Sequence, residues 1–157
     1  MSSSLSERPM LPTRAPKQNP ETAAFWDGCR NSQLVLPRCD ACGELIWYPR
    51  RFCPFCASTA VTDVAVSGRG TVYSFTVIRK GVGPYRDAAP YVLAYVELEE
   101  GPRIQTNVIG VDPETVHIGQ PVHVVFEPVL DPATPDQPPI AAIPRFMPST
   151  EEGSGSR

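Results

Sequence analysis

The chain has 157 residues, 41% of them hydrophobic and 20% charged, with a formal net charge of −3. That is enough apolar material for one domain of ordinary size, or a small domain plus a module, and no apolar run approaches the ~18–20 residues of a membrane span. Four basic and three acidic residues lie in 1–37, eight and seven in 38–103, and two and seven from 104 onward, so no basic face for a phosphate backbone is evident.

The opening MSSSLSERPMLPTR lacks the apolar core of a signal peptide, which makes a cytoplasmic protein the expectation. Nineteen prolines gather towards the two ends, from Pro9 to Pro20 and from Pro128 to Pro148. Proline cannot continue a helix or a central strand, so these ends read as extended or disordered, with tails over 1–18 and 148–157. The stretch 19–36 reads as a helix and a lead-in strand. Asn19 is placed as N-cap, Pro20 at the first helical position and Glu21 as the acid of the first turn. Phe25, Trp26 and Cys29 supply the apolar surface, and Gly28 with Asn31-Ser32 limits the helix to about two or three turns. Phe25 and Trp26 either pin the helix to its own domain or offer an aromatic anchor to another protein. LVLPRC is the short strand leading into the first cysteine pair.

Four of the five cysteines form two CxxC pairs, Cys39/Cys42 and Cys53/Cys56, inside a predicted ribbon over 37–61. Two intervening residues let both sulfurs of a pair converge on one ion. Gly43 follows the first pair, where a positive φ is often needed; Ala57 stands at the matching place after the second. ELIWYPRRF between the pairs has room to go out and back as a hairpin. Four thiolates on two knuckles match the closed tetrahedral site of a structural zinc ribbon, while a single iron, as in rubredoxin-type carriers, uses the same ligand set. A dithiol redox pair is the further alternative, normally one CxxC on a βα unit. A module this small folds on metal binding, and with all four positions filled by protein no Lewis-acid site is open. Cys29 reads as a packed helix residue, not a fifth ligand.

After Cys56 the pattern becomes β. Strands are predicted at Thr71–Arg79, Tyr91–Glu99, Arg103–Val111 and Val122–Val129, with IAAIPRF a short fifth. Val92, Ala94, Val96 and Leu98 share one face of the second. VDPETVHIGQPV reads as a turn with a short helical or irregular segment. Five strands with Gly/Pro turns argue a five-stranded OB-fold barrel over 62–147. The fold class is thus mainly β: an N-terminal helix, a rubredoxin-like zinc ribbon, then the barrel. The sequence carries no GxSxG, phosphate-cradling glycine loop or HExxH, and His117 and His123 have no nucleophile placed beside them by motif, so no catalytic residue is assigned.

A helix with Phe25-Trp26, then LVLPRCDACGELIWYPRRFCPFC, SGRGTVYSFTVIR, PYVLAYVELEEGPRIQTNVIG and HIGQPVHVVFEPV, in this order, resembles the zinc-ribbon plus OB-fold family long catalogued as a domain of unknown function and associated with acyl-CoA metabolism. The resemblance covers about residues 21–147. It implies a non-catalytic accessory subunit of a thiolase-like enzyme (a ketothiolase, an acyltransferase or a retro-aldolase), helping to assemble it or to channel its acyl-CoA substrate, with hydratases as further partners. It carries the zinc ligands onto Cys39, Cys42, Cys53 and Cys56.

Arg50, Arg51, Arg79 and Lys80 are the basic residues placed to meet the phosphates of an acyl-CoA, against their reading as ordinary solvated side chains. The loop Lys80–Tyr91, with Tyr85 and Tyr91, is the candidate for contacting a partner or an acyl chain. The alternative reading is a single-stranded nucleic-acid module, using Tyr73, Phe75, Tyr91 and Tyr95 as stacking platforms. The acidic balance makes nucleic acid the weaker partner.

Overall fold

A computed structural model of the chain describes residues 10–150; of the tails expected over 1–18 and 148–157, the parts 1–9 and 151–157 lie outside the described residues. The order is one helix and seven strands: α1 (Ala23–Arg30), β1 (Leu34–Cys39), β2 (Val61–Val66), β3 (Arg69–Ile78), β4 (Tyr91–Leu98), β5 (Arg103–Val108), β6 (Pro121–Val129) and β7 (Ala141–Pro148). Strands β3–β4–β5–β7–β6 close into the expected five-stranded barrel, and β1 pairs with β2 in a separate two-stranded sheet.

The helix starts later than the Asn-Pro-Glu signal implies. Its N-cap is Thr22, because Asn19 closes the preceding turn: the Thr22 backbone amide donates to the Asn19 carbonyl at 3.1 Å and to its Oδ1 at 3.0 Å. Asn19 caps, but it caps a turn. Strand β2, VTDVAV, was not singled out from sequence because its exposed and half-exposed residues show no clean alternation. It pairs antiparallel with β1 from Cys39↔Val61 to Leu34↔Val66, carrying the sheet that roots the cysteine module almost to the start of the barrel.

In the barrel, period-two alternation decides which residues point inward. Val92, Ala94, Val96 and Leu98 are all buried, as expected, with Val72, Ile104, Val122 and Phe146 from neighbouring strands. The fifth strand is longer than IAAIPRF suggested, because β7 pairs with β6 over its whole length, from Ala141↔Val129 to Pro148↔Val122. The β5–β7 closure is much thinner: one parallel Cα pair, Val108↔Phe146, and an Ile109 amide donating to the Phe146 carbonyl at 2.8 Å.

Helix, ribbon and barrel share one core. Phe25 and Cys29 of α1, Leu34 and Leu36 of β1 and Leu45 join the same buried cluster as the barrel valines. The N-terminal segment is tied down as well. On the outer face of β7, Arg145 is 3% exposed; it forms an ion pair with Glu127 and donates to the Leu11 carbonyl at 3.4 Å and the Pro12 carbonyl at 2.6 Å. Leu11 and Pro12 therefore pack on the barrel, within a stretch expected to be extended or disordered. Among the described residues, no helix is long and apolar enough to cross a membrane.

Candidate metal centre and adjoining cleft

The two knuckles repeat one local geometry. Gly43 and Ala57 donate their amides to the carbonyls of Cys39 and Cys53, each at 2.9 Å, and Cys39 and Cys53 donate to the Glu44 and Ser58 carbonyls at 2.9 and 2.8 Å. Both hinge residues have positive φ, 78° at Gly43 and 62° at Ala57. The missing glycine thus leaves the turn geometry intact.

The four sulfurs lie within 4.8 Å of one another, with Cys39–Cys56 at 3.5 Å and Cys42–Cys53 at 3.6 Å. A tetrahedron built on bonds of ~2.3 Å has edges of about 3.8 Å, so these residues fit one thiolate-bound ion. Burial places Cys39 and Cys53 against Ile46 and Val61, while Cys42 and Cys56 face solvent. The electrostatics call for a cation. The Cys42 backbone amide holds the Cys39 thiol down to about 6. Cys42 receives a lowering hydrogen bond from the Glu44 amide, but desolvation and the neighbouring sulfurs push it up to about 12. One thiolate forms readily; four together need a metal ion to neutralise them. Cys29 lies apart from this cluster, buried in the core, and its thiol is pushed up to about 12 by desolvation.

The basic residues picked from sequence divide. Arg51 makes a bidentate pair with Asp63 at 2.6 and 3.1 Å, and Arg79 one with Glu114 at 2.5 and 3.1 Å. Arg50 donates through Nε to the Tyr48 carbonyl at 3.2 Å and lies over the Phe52 ring at 5.7 Å. Among the described residues no carboxylate is paired with Arg50 or Lys80.

The aromatics divide too. Phe25, 2% exposed, belongs to the core of its own domain. Tyr85 and Tyr91 pack on each other at 5.6 Å within the Lys80–Tyr91 loop. That loop is folded back tightly at Gly81, where a Cβ would sit 1.9 Å from the Tyr85 carbonyl oxygen. Tyr73 is exposed, but its ring is covered by Arg103 at 3.7 Å. His117 Nδ1 meets the Thr115 carbonyl at 3.2 Å and His123 Nδ1 meets Ser149 Oγ at 3.3 Å.

A cleft of about 420 Å³ opens where α1 and the ribbon meet the thin β5–β7 seam. Phe25, Trp26, Trp47 and Tyr48 form its outer wall in a chain of edge-on rings 4.8–5.5 Å apart. Tyr95, Ile104, Pro144 and Arg145 face them from the barrel. Sequence reasoning missed this site. Trp47 and Arg145 have no local signal for it, since five separate chain segments build the walls.

Comparison with known proteins bears directly on the two modules. Residues 26–62 match the ChsH2 rubredoxin-like zinc ribbon domain, and residues 63–127 match the ChsH2 C-terminal OB-fold domain. A DUF35 domain-containing scaffold protein of Methanothermobacter thermautotrophicus is 37% identical over 113 residues, 71% of this chain and 85% of that one. The chain belongs to the DUF35 family. A probable enoyl-CoA hydratase alpha subunit of Thermomonospora curvata is 34% identical over 93% of this chain. The chain spans only 43% of that protein's length. Benzoylsuccinyl-CoA thiolase subunit BbsA of Geobacter metallireducens is 34% identical over 59% of this chain and 60% of its own. A solved structure described as an Ltp2-ChsH2(DUF35) aldolase is 34% identical, with a TM-score of 0.73 over 87% of this chain and all of that one.

Proposed function

We propose that this DUF35 chain is a non-catalytic accessory subunit that binds a thiolase-like enzyme (a ketothiolase, an acyltransferase or a retro-aldolase) and helps assemble it or channel its acyl-CoA substrate. The observation that carries the reading is the likeness, over 87% of this chain, to a solved structure described as an Ltp2-ChsH2(DUF35) aldolase, joined by a relative named as a thiolase subunit. A hydratase is the second class of partner, in line with the relative named as a hydratase alpha subunit. Physical features support it. Four sulfurs complete a tetrahedral shell, which suits a structural ion and leaves no open coordination position for substrate. Tyr48, Phe52 and Phe55 are 44%, 46% and 68% exposed on the ribbon, and aromatics of this kind are enriched at interface centres. We assign zinc as the ion and the cytoplasm as the compartment, since free thiolate ligands persist under reducing conditions. Contacts to CoA phosphates fall to Arg50 and Lys80, because Arg51 and Arg79 already hold carboxylates.

The nucleic-acid reading draws no support from the surface: Arg69, Arg79 and Arg103 sit on carboxylates, and Arg103 covers the Tyr73 ring. Co-expression with a thiolase-like enzyme encoded beside this chain is expected to yield one co-eluting species on size exclusion. Two clean separate peaks would count decisively against the proposal, and turnover of a CoA thioester by the purified chain alone would refute its non-catalytic part. One zinc per chain is expected by elemental analysis; iron in its place would correct the ion.

A further inference from the structure

The four sulfurs that fit an ion are not equivalent. Each knuckle supplies one buried and one exposed cysteine: Cys39 and Cys53 are buried against Ile46 and Val61, while Cys42 and Cys56 are exposed. The short sulfur contacts run between the knuckles and join one class to the other. Cys56 Sγ lies 3.5 Å from Cys39 Sγ, and Cys42 Sγ lies 3.6 Å from Cys53 Sγ. Burial and contact thus divide the cluster into two pairs, each with one cysteine from each knuckle.

That is the arrangement of an attacking and a resolving thiolate. Oxidation of cysteine follows thiolate character and exposure, and the sulfenic acid it forms condenses with a neighbouring thiol. The Cys56 thiolate displaces hydroxide from hydrogen peroxide and becomes a sulfenic acid. The Cys39 thiolate then attacks that sulfur and expels a second hydroxide, leaving a disulfide. Cys42 and Cys53 undergo the same two steps. Each pair gives up two electrons, which cleave the O–O bond of one peroxide, and a zinc ion keeps its oxidation state throughout. A contact of 3.5 Å has to close to the ~2.0 Å of a disulfide bond, a shift of about 1.5 Å. Only a thiolate is a ligand, so the first disulfide removes two of the four and the ion leaves.

We propose that the ribbon is a peroxide-modifiable site: hydroperoxides oxidise Cys42 and Cys56, Cys53 and Cys39 resolve them into cross-knuckle disulfides Cys42–Cys53 and Cys39–Cys56, and the metal is expelled. Cys29, buried in the core outside the cluster, keeps its thiol and serves as an internal control. The inference rests on the thiolate-bound ion and not on the accessory-subunit reading.

The test treats the zinc-loaded full-length chain with hydrogen peroxide, reads free zinc with a chromogenic chelator, and digests the product with trypsin without reductant. Cleavage after Arg38, Arg50, Arg51 and Arg69 puts Cys39 and Cys42 on one peptide and Cys53 and Cys56 on another. Cross-knuckle bonds hold these two peptides together, whereas bonds within the knuckles leave them separate. Expected are loss of one zinc per chain, a linked peptide pair that fragments as Cys39–Cys56 and Cys42–Cys53, and Cys29 as a free thiol. Dithiothreitol with added zinc restores the metal-bound chain. Dimedone present during oxidation marks Cys42 and Cys56 ahead of Cys39 and Cys53. The proposal is overturned if zinc stays bound while Cys29 oxidises, if the two peptides come apart or are joined in the other pairing, or if dimedone marks the buried cysteines first. Failure of the untreated chain to take up zinc would refute the ion instead, and the disulfide map of that chain would still decide the pairing.

Discussion

Gly43 and Ala57 stand in equivalent places, each directly after the second cysteine of a knuckle and each with positive φ, 78° and 62°. Glycine adopts that backbone freely, whereas alanine meets a steric penalty of roughly 1–2 kcal/mol. Ala57→Gly is therefore expected to stabilise the folded chain by about 1 kcal/mol, and Gly43→Ala to destabilise it by about as much. Thermal unfolding of the two metal-loaded variants measures both signs; a destabilised Ala57→Gly would show that the backbone strain is absent.

The metal stabilises more than the ribbon. Because Leu36 and Leu45 beside the knuckles share a core with Phe25 and the barrel valines, loss of the ion loosens a surface on which the barrel rests. Cys53→Ser, or stripping by a strong chelator, is expected to lower the melting temperature of the whole chain by about 10 °C, the effect of roughly 4 kcal/mol at this size. Retention falls with pH, since protons compete for the same sulfurs: the ion is held at pH 7–8 and is released as acidification reprotonates the thiolates. Calorimetry with metal analysis at each pH checks both statements. A barrel transition indifferent to chelation would show that the two modules are energetically separate.

Removal of the Glu127 carboxylate leaves the Arg145 guanidinium buried with only the Leu11 and Pro12 carbonyls and no counter-charge. Glu127→Gln is expected to cost about 3 kcal/mol. Deletion of residues 1–12 instead uncovers the pair to water and is expected to cost less than Glu127→Gln. Urea unfolding of the two variants gives the ranking, and the reverse order would mean that the N-terminal segment carries the stability by itself.

Cys29 is expected to stay a thiol well into alkali. Its folded-state value near 12 lies above the ordinary 9, so the folded form keeps its proton while the unfolded form loses it. The resulting stability is complete below about pH 9 and is lost as the pH rises towards 12. Cys29→Ala is expected to flatten that alkaline decline. With metal bound, Cys29 resists alkylation at pH 8; rapid labelling there would show that α1 opens.

Much of the fold was legible because its signals are local. CxxC spacing is covalent geometry; alternation in TVYSFTVIR and YVLAYVELE reports which face is buried; Gly-Pro pairs mark turns. The failures also have physical reasons. Asn-Pro-Glu reads the same whether Asn19 caps a turn or a helix, and only the Thr22 hydrogen bonds separate the two. VTDVAV is a half-exposed strand held by its pairing with β1, so burial wrote little pattern into it. Arg51 and Arg79 looked available because Asp63 and Glu114 are 12 and 35 residues away in sequence.

By itself the sequence determined a four-thiolate knuckle pair, a β-rich remainder and the order in which they come, since each follows from residues a few positions apart. Tertiary structure alone decided that Phe25 lies in the common core, that Leu11 and Pro12 cover Arg145, and that Trp26, Trp47 and Tyr95 surround one cleft. Those relations join segments far apart in the chain. Closing such distances is driven by burial of apolar surface gathered from the whole molecule, and no local stretch of residues encodes it.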